Sequence, residues 1–407
     1  MNANATIQAV PPAAPPPSDA DLDCLRQVGD PIVDELVKKH FRDIARAATS
    51  PEESAHLVSA AFGKLVGTLF RSTGMPEDDA LVRAYMAALG EVELGDTEII
   101  GRGQRLFALF GPEMFLVLGS CSLPLAFAAG NGVQAIYRAR RLKDNPVRRL
   151  YDTAQMIIDV MQVGELAKGQ LGWRTTRKVR LIHALMRWHV TQQDWNGKEW
   201  GVAINQEDLA GTLLSFSVAV LSGLRRMGAR ISSEDADAYI YAWSAIGRLL
   251  GVDESLLLTN ERDANDLAMR IGNRQIRETK EGKQLAEQLM GAVATLFPVK
   301  GYANSLSHFF LADTAFGQNV ARILDLPPPG WTRFLVSARA RQKRWVLALL
   351  ETVPGARHRR SSFARRFVQA MLLFKRPDAD VPFEVPASLA GAWGVRLAGK
   401  RGAAKGR

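Results

Sequence analysis

Along most of the chain, apolar residues recur three and four positions apart, the interval that gathers them on one face of a helix, and strict two-residue alternation is almost missing. The start and stop signals agree with this. Ser50-Pro51-Glu52-Glu53 has the form of a capping box with proline at the first helical position. Asn205-Gln206-Glu207-Asp208 places a cap and an acidic first turn before the run LAGTLLSFSVAVLSGLRRM. Ser232 and Ser233, followed by Glu234 and Asp235, open YIYAWSAIGRLL, which closes on Gly251. One short alternating stretch runs from Val381 to Val385. The expected fold is all-α, with about fourteen helices.

Met114 to Tyr137 carries no charged side chain, yet Ser120, Ser122, Pro124 and Asn131 interrupt what a bilayer span needs. The pattern predicts a buried helix that stops near Leu123-Pro124. Composition fits a folded chain: 407 residues with 47% hydrophobic side chains hold one large core or two ordinary ones, which excludes disordered and fibrous classes.

The formal charge of +10 is unevenly placed: Trp331 to Arg407 holds 17 Lys/Arg against 4 Asp/Glu, whereas residues 1–330 hold 35 against 38. A body that is slightly acidic does not grip phosphates, so no nucleic-acid partner is expected. The shift coincides with Pro327-Pro328-Pro329-Gly330. Three regions are therefore expected: a tail at 1–19, a helical domain at 20–326 and a basic helical appendage at 327–407. Met1 to Pro17 is Ala/Pro-rich with no basic segment leading into an apolar core, and it reads as an extended tail rather than an export signal. The expected location is cytoplasmic, with peripheral membrane contact through the basic C-terminus as an added expectation. Trp331–Leu350 and Phe363–Lys375 alternate apolar and basic residues at helical spacing, a composition suited to an anionic membrane surface or to packing on the body with arginines in water.

Cys24 and Cys121 stand in no metal-ligand or disulfide spacing. GxSxG, Walker-type and HExxH motifs are missing, which removes the main support for hydrolase and NTPase readings. Of the six histidines, His183 stands out, on one helical side with Val179, Arg180, Met186 and Arg187. Six residues turn a helix through about 600°, so His183 and His189 diverge and do not form a metal clamp. The residues themselves leave two readings open: a core histidine, or a lone axial ligand to a haem iron.

Three stretches carry a resemblance: Gly172 to Ala184, with Val179-Arg180-Leu181-Ile182-His183-Ala184 at its end; Trp200 to Phe216; and Tyr241 to Val252. In order, from about Asp96 to Leu326, they resemble the catalytic domain shared by latex clearing proteins (rubber oxygenases) and MpaB-type oxygenases. The resemblance implies a helical, globin-like core, non-covalently bound haem b, and His183 as the proximal iron ligand. It also implies that Arg149 and Thr153, four residues apart on one helical face, serve the haem pocket, binding a propionate or donating to iron-bound oxygen. Arg177, Arg180 and Arg187, in the cationic cluster around His183, are candidates for the propionates.

Departures accompany the match. Rubber-cleaving members carry a lysine where this chain has Asp152, and a glutamate where it has Val133-Gln134-Ala135. Asp152 is thus a candidate acid or base. Asn205 to Asp208 are assigned to the helix start, and Trp243 with Gly247 to packing. The expected function is a haem-dependent, dioxygenase-like enzyme that uses O2 to oxidise or cleave a C=C bond of an apolar isoprenoid or polyisoprenoid; the alternative is a haem carrier or gas sensor.

Overall fold

In the computed structural model, which describes residues 15–72, 75–139, 146–312 and 319–352, the regular structure is helical throughout. The helices are α1 (Asp19–Leu25), α2 (Pro31–Arg46), α3 (Pro51–Arg71), α4 (Ala80–Ala88), α5 (Thr97–Val117), α6 (Leu123–Ala128), α7 (Gly132–Ala139), α8 (Pro146–Val160) and α9 (Leu171–Thr191). They continue with α10 (Gly197–Trp200), α11 (Gln206–Arg226), α12 (Ser233–Leu250), α13 (Glu261–Gln275), α14 (Lys280–Ala294), α15 (Tyr302–Leu311), α16 (Val320–Ile323) and α17 (Thr332–Thr352). No strand occurs among the described residues, only an isolated bridge between Ala129 and Ile276. The all-α expectation holds, with more helices than expected. The short α10 and α16, four residues each, are too brief to show a period. Val381–Val385 and Phe363–Lys375 lie outside the described residues.

The long helices start where their caps place them. Asn205 accepts a hydrogen bond from the Asp208 backbone at 3.0 Å, and Ser232 accepts one from Asp235 at 3.2 Å. Gly251 ends α12 in the left-handed region, φ +78°. At α3, Ser50 accepts from the Glu53 amide at 3.1 Å, but the Glu53 carboxylate reaches back to the Thr49 amide at 2.7 Å. The reciprocal half of the capping box has moved one residue upstream.

The apolar run after Met114 does not stop at Leu123-Pro124 as expected. A π turn, Leu118–Ser122, carries the chain from α5 into α6, with Pro124 in the first turn of α6 directly after the change in hydrogen-bond spacing. Thr97–Ala128 and Gln206–Arg226 are long and apolar enough to cross a membrane, yet 78% of each apolar stretch is buried inside the fold.

Two apolar clusters form the interior. The larger, which includes Phe107, Met114 and Trp243, is crossed by α5 and α12. They approach at Gly103, where any β-carbon would run into the Ala238 carbonyl and lie 2.9 Å from the Ala242 methyl. The smaller joins α2, α3, α4 and α9 through Phe41, Phe62, Tyr85 and Leu185. Helix α9 serves both, with Trp173 and Val179 against the first and Leu181, Ala184 and Leu185 in the second. Helix α8 is tied alongside it by Asp159, which accepts from Thr175 at 2.8 Å.

The chain stays attached beyond Pro327–Gly330. Thr332 donates to the Gly301 carbonyl at 3.0 Å, Val336 is buried in the larger cluster, and Lys343 pairs with Glu113 of α5 at 2.9 Å.

Candidate functional site

Where α9 passes between the clusters, the helices leave a cavity of about 450 Å³, the size of many cofactor and ligand pockets. Its walls come from α3, α6 to α9 and α11 to α14, and they are mostly apolar.

His183 lines this cavity from α9, flanked by Val179, Ile182 and Met186. Its Nδ1 is buried and has no hydrogen-bond partner, so the ring that lines the cavity carries an unsatisfied nitrogen. Burial pulls its pKa down to about 4, the positive field of Arg187 adds to the drop, and Asp30 opposes it. At neutral pH the ring is therefore uncharged and keeps a lone pair for an electrophile. His189 is directed elsewhere: it stacks on Phe62 at 4.7 Å and pairs with Gln193 at 2.7 Å.

Asp152 and Thr153 join His183 in lining the cavity, from α8. Arg149 sits one turn before Thr153 on the same helix; its side chain lies outside the described residues. The three candidate arginines of α9, Arg177, Arg180 and Arg187, are not brought to the cavity wall. Arg180 forks onto Asp30, Nε to Oδ2 at 2.5 Å and Nη2 to Oδ1 at 3.0 Å. Arg187 binds Asp34 at 3.1 Å and the Ile204 carbonyl at 3.2 Å. Arg177 donates to the Leu89 and Gly90 carbonyls and lies over the Trp173 ring at 4.5 Å. Their geometry is that of cations pinning α9 to α2 and to the end of α4. Gln134 also turns aside, donating to Glu281 at 3.1 Å and accepting from Arg138 at 2.6 Å, while its neighbour Ala135 lines the cavity.

Two acids that the sequence assigned to the start of α11 also line the cavity, Glu207 and Asp208. Glu207 is fully buried and accepts from Arg26 at 3.0 Å, Arg274 at 2.8 Å and Gln275 at 3.0 Å. Asp208 accepts from Arg26 at 3.2 Å and from the Asn205 amide group at 2.9 Å. Burial raises the Asp208 pKa to about 6, with Arg26 opposing and Glu207 reinforcing the rise. No local signal separates such a pair from an ordinary acidic first turn; the partners that enclose it, Arg26 and Arg274, are remote in sequence. Trp243 belongs to the core as expected and also faces the cavity.

Among the described residues, no group of three or more His, Cys, Asp or Glu side chains is placed to hold a metal ion.

Residues 101–372 match the family described as ER-bound oxygenase mpaB/B'/rubber oxygenase, catalytic domain. The rubber oxygenase of Streptomyces sp. (strain K30) is 30% identical over 126 residues, a stretch covering 30% of this chain and 31% of that protein's length. The solved structure of latex clearing protein LCP in the closed state superposes with a TM-score of 0.65 at 19% identity, covering 89% of this chain and 94% of that one, a likeness of fold. With the family match extending over well more than half of its length, the chain belongs to the MpaB and rubber oxygenase catalytic-domain family.

Proposed function

We propose that this protein is a haem b-dependent oxygenase that oxidises or cleaves a C=C bond of an apolar, isoprenoid-like substrate, with His183 as proximal ligand. The observation that carries the reading is His183 itself: a neutral imidazole in the wall of an apolar cavity, with a buried ring nitrogen that no protein group satisfies. Family membership supports oxygenase chemistry, and the named substrate of the Streptomyces relative supports a polyisoprenoid class.

The residues fit the cofactor on one side in particular. His183 would be the residue that holds the cofactor's iron, and the pairs Arg180–Asp30 and Arg187–Asp34 hold its helix in place. When bound there in a globin-like pocket, haem supplies the iron at which O2 is activated. Apolar side chains such as Phe216, Met156 and Leu289 exclude water and accept a hydrocarbon. The Thr153 hydroxyl is a hydrogen-bond donor for an oxygen in the cavity, and Arg149, one turn away, serves the oxygen side or a propionate. Asp152 and Asp208 are the carboxyls that can hold or pass a proton, Asp208 with its pKa already near neutrality.

Purified protein tests this directly. A Soret band lost in His183→Ala, with oxygen uptake and cleaved products by mass spectrometry from squalene-like or short prenyl substrates, is expected. A colourless protein after haem reconstitution would sink the haem reading, and a Soret band without product would leave a carrier.

A further inference from the structure

We infer that the outward face of α17 is a docking surface for an anionic lipid bilayer. This surface is separate from the cavity and does not depend on its chemistry.

Of the eleven exposed large hydrophobic side chains among the described residues, five fall between Trp331 and Val346, and they include all three aromatics of that set, Trp331, Phe334 and Trp345. Their arrangement follows from the helix. Thr332, Val336 and Lys343 share the side that packs on α15 and α5. At about 100° per residue, Phe334, Arg341 and Trp345 fall on the opposite side. Trp345 is 78% exposed and Phe334 62% exposed. Isolated exposed apolar residues are ordinary, but aromatics gathered on one helix face mark a surface that is covered by something.

Charge identifies what covers it. From Trp331 to Leu350 the chain has five Lys/Arg and no Asp/Glu. Arg333 and Arg341 are exposed on or beside this outward side, with Arg333 over the Phe334 ring at 4.8 Å, whereas Arg339 pairs with Tyr302 of α15 and Arg344 packs against Gly228. Lys343 is already satisfied by Glu113. Residues 353–407 carry 12 Lys/Arg against 3 Asp/Glu, so they repel this face instead of complementing it, and a second copy presents the same sign. An anionic bilayer complements both features: the aromatic rings enter the interface, and the arginines reach lipid phosphates. Because its inner side is held by Thr332, Val336 and Lys343, α17 would meet the membrane lying flat with the rest of the fold above it.

The test is flotation of the full chain with vesicles of phosphatidylcholine alone and of equal phosphatidylcholine and phosphatidylglycerol. The expected result is binding to the anionic vesicles only, weakened by salt. The triple variant Trp331→Ser, Phe334→Ser, Trp345→Ser should bind at least about tenfold more weakly, with an unchanged melting curve. The pair Arg333→Glu, Arg341→Glu should do the same. Equal vesicle binding by the triple variant and the wild type would overturn the proposal. So would a wild-type dimer that the triple variant turns into a monomer. Tryptophans shielded from iodide in the vesicle-free chain but uncovered by truncation after Thr352 would assign the face to the chain's own C-terminus, and would also overturn it.

Discussion

Arg180 and Asp30, 150 residues apart, meet in a forked, nearly buried ion pair one helical turn before His183. The pair fixes α9 to the N-terminus of α2, and with it the direction of the imidazole. Removing one member of such a pair strands the other charge out of water. Arg180→Ala should therefore cost about 3 kcal/mol or more of unfolding free energy. Urea denaturation at neutral pH measures it, and a loss below about 1 kcal/mol would reduce the pair to a surface-like contact.

Glu207 holds Arg26, Arg274 and Gln275 with one carboxylate, so charge matters more than shape there. Glu207→Gln keeps the volume but leaves two guanidinium groups facing an amide. A loss of about 3 kcal/mol is expected, read from thermal or urea unfolding beside Glu207→Asp.

Asp208 should give the fold a pH dependence of known sign. Its folded-state pKa lies above the ordinary carboxylate value, at about 6. The proton it retains stabilises the native state fully below about pH 4, and that contribution is lost as pH rises through about 6. Relative to Asp208→Asn, wild-type stability should fall by up to about 3 kcal/mol between pH 4 and pH 7. Parallel stability curves for the two proteins across that window would contradict the assignment.

Gly103 lets α5 and α12 touch, with the Ala238 carbonyl and the Ala242 methyl occupying the space of a side chain. The obstacle is partly backbone, so it cannot rotate away. Gly103→Ala should destabilise the protein by about 2–3 kcal/mol, whereas Gly63→Ala, with nothing within 4 Å, serves as the control in the same melting experiment.

Thr153→Val preserves shape while deleting the hydroxyl in the cavity wall. If the hydroxyl donates to a reacting oxygen, product formation should fall about tenfold to a hundredfold with the Soret band retained. A variant as active as the wild type would confine Thr153 to packing.

The sequence was most legible where structure is local. Asn205, Ser232 and Gly251 mark helix ends because caps act over three or four residues, and the long amphipathic stretches read as helices for the same reason. His183 was recognisable through its motif, and its place in the cavity wall follows from α9. Long-range partners were not legible. Arg177, Arg180 and Arg187 looked like a cofactor's counter-ions because Leu89, Asp30 and Asp34 are 88, 150 and 153 residues away. Glu207 and Asp208 looked like an acidic first turn, which they also are, and only the approach of Arg26 and Arg274 buries them. The helix past Leu123 was missed because proline reads as a stop unless the turn before it changes its hydrogen-bond spacing.

That π turn at Leu118–Ser122 amounts to one surplus residue in an otherwise continuous rod. One residue is worth about 100° of rotation, enough for a single rod to aim α5 at α12 and then aim Leu125, Ala126 and Phe127 at the cavity. The pocket wall is thus set by a reading frame of faces, and a one-residue deletion at Gly119 would reset it. Such a deletion would leave composition, hydropathy and helix content almost unchanged, yet swing every α6 side chain by a quarter turn or more. Relatives differing by a single insertion or deletion here would therefore be expected to differ in pocket shape, and in what they admit, far more than their percentage identity suggests.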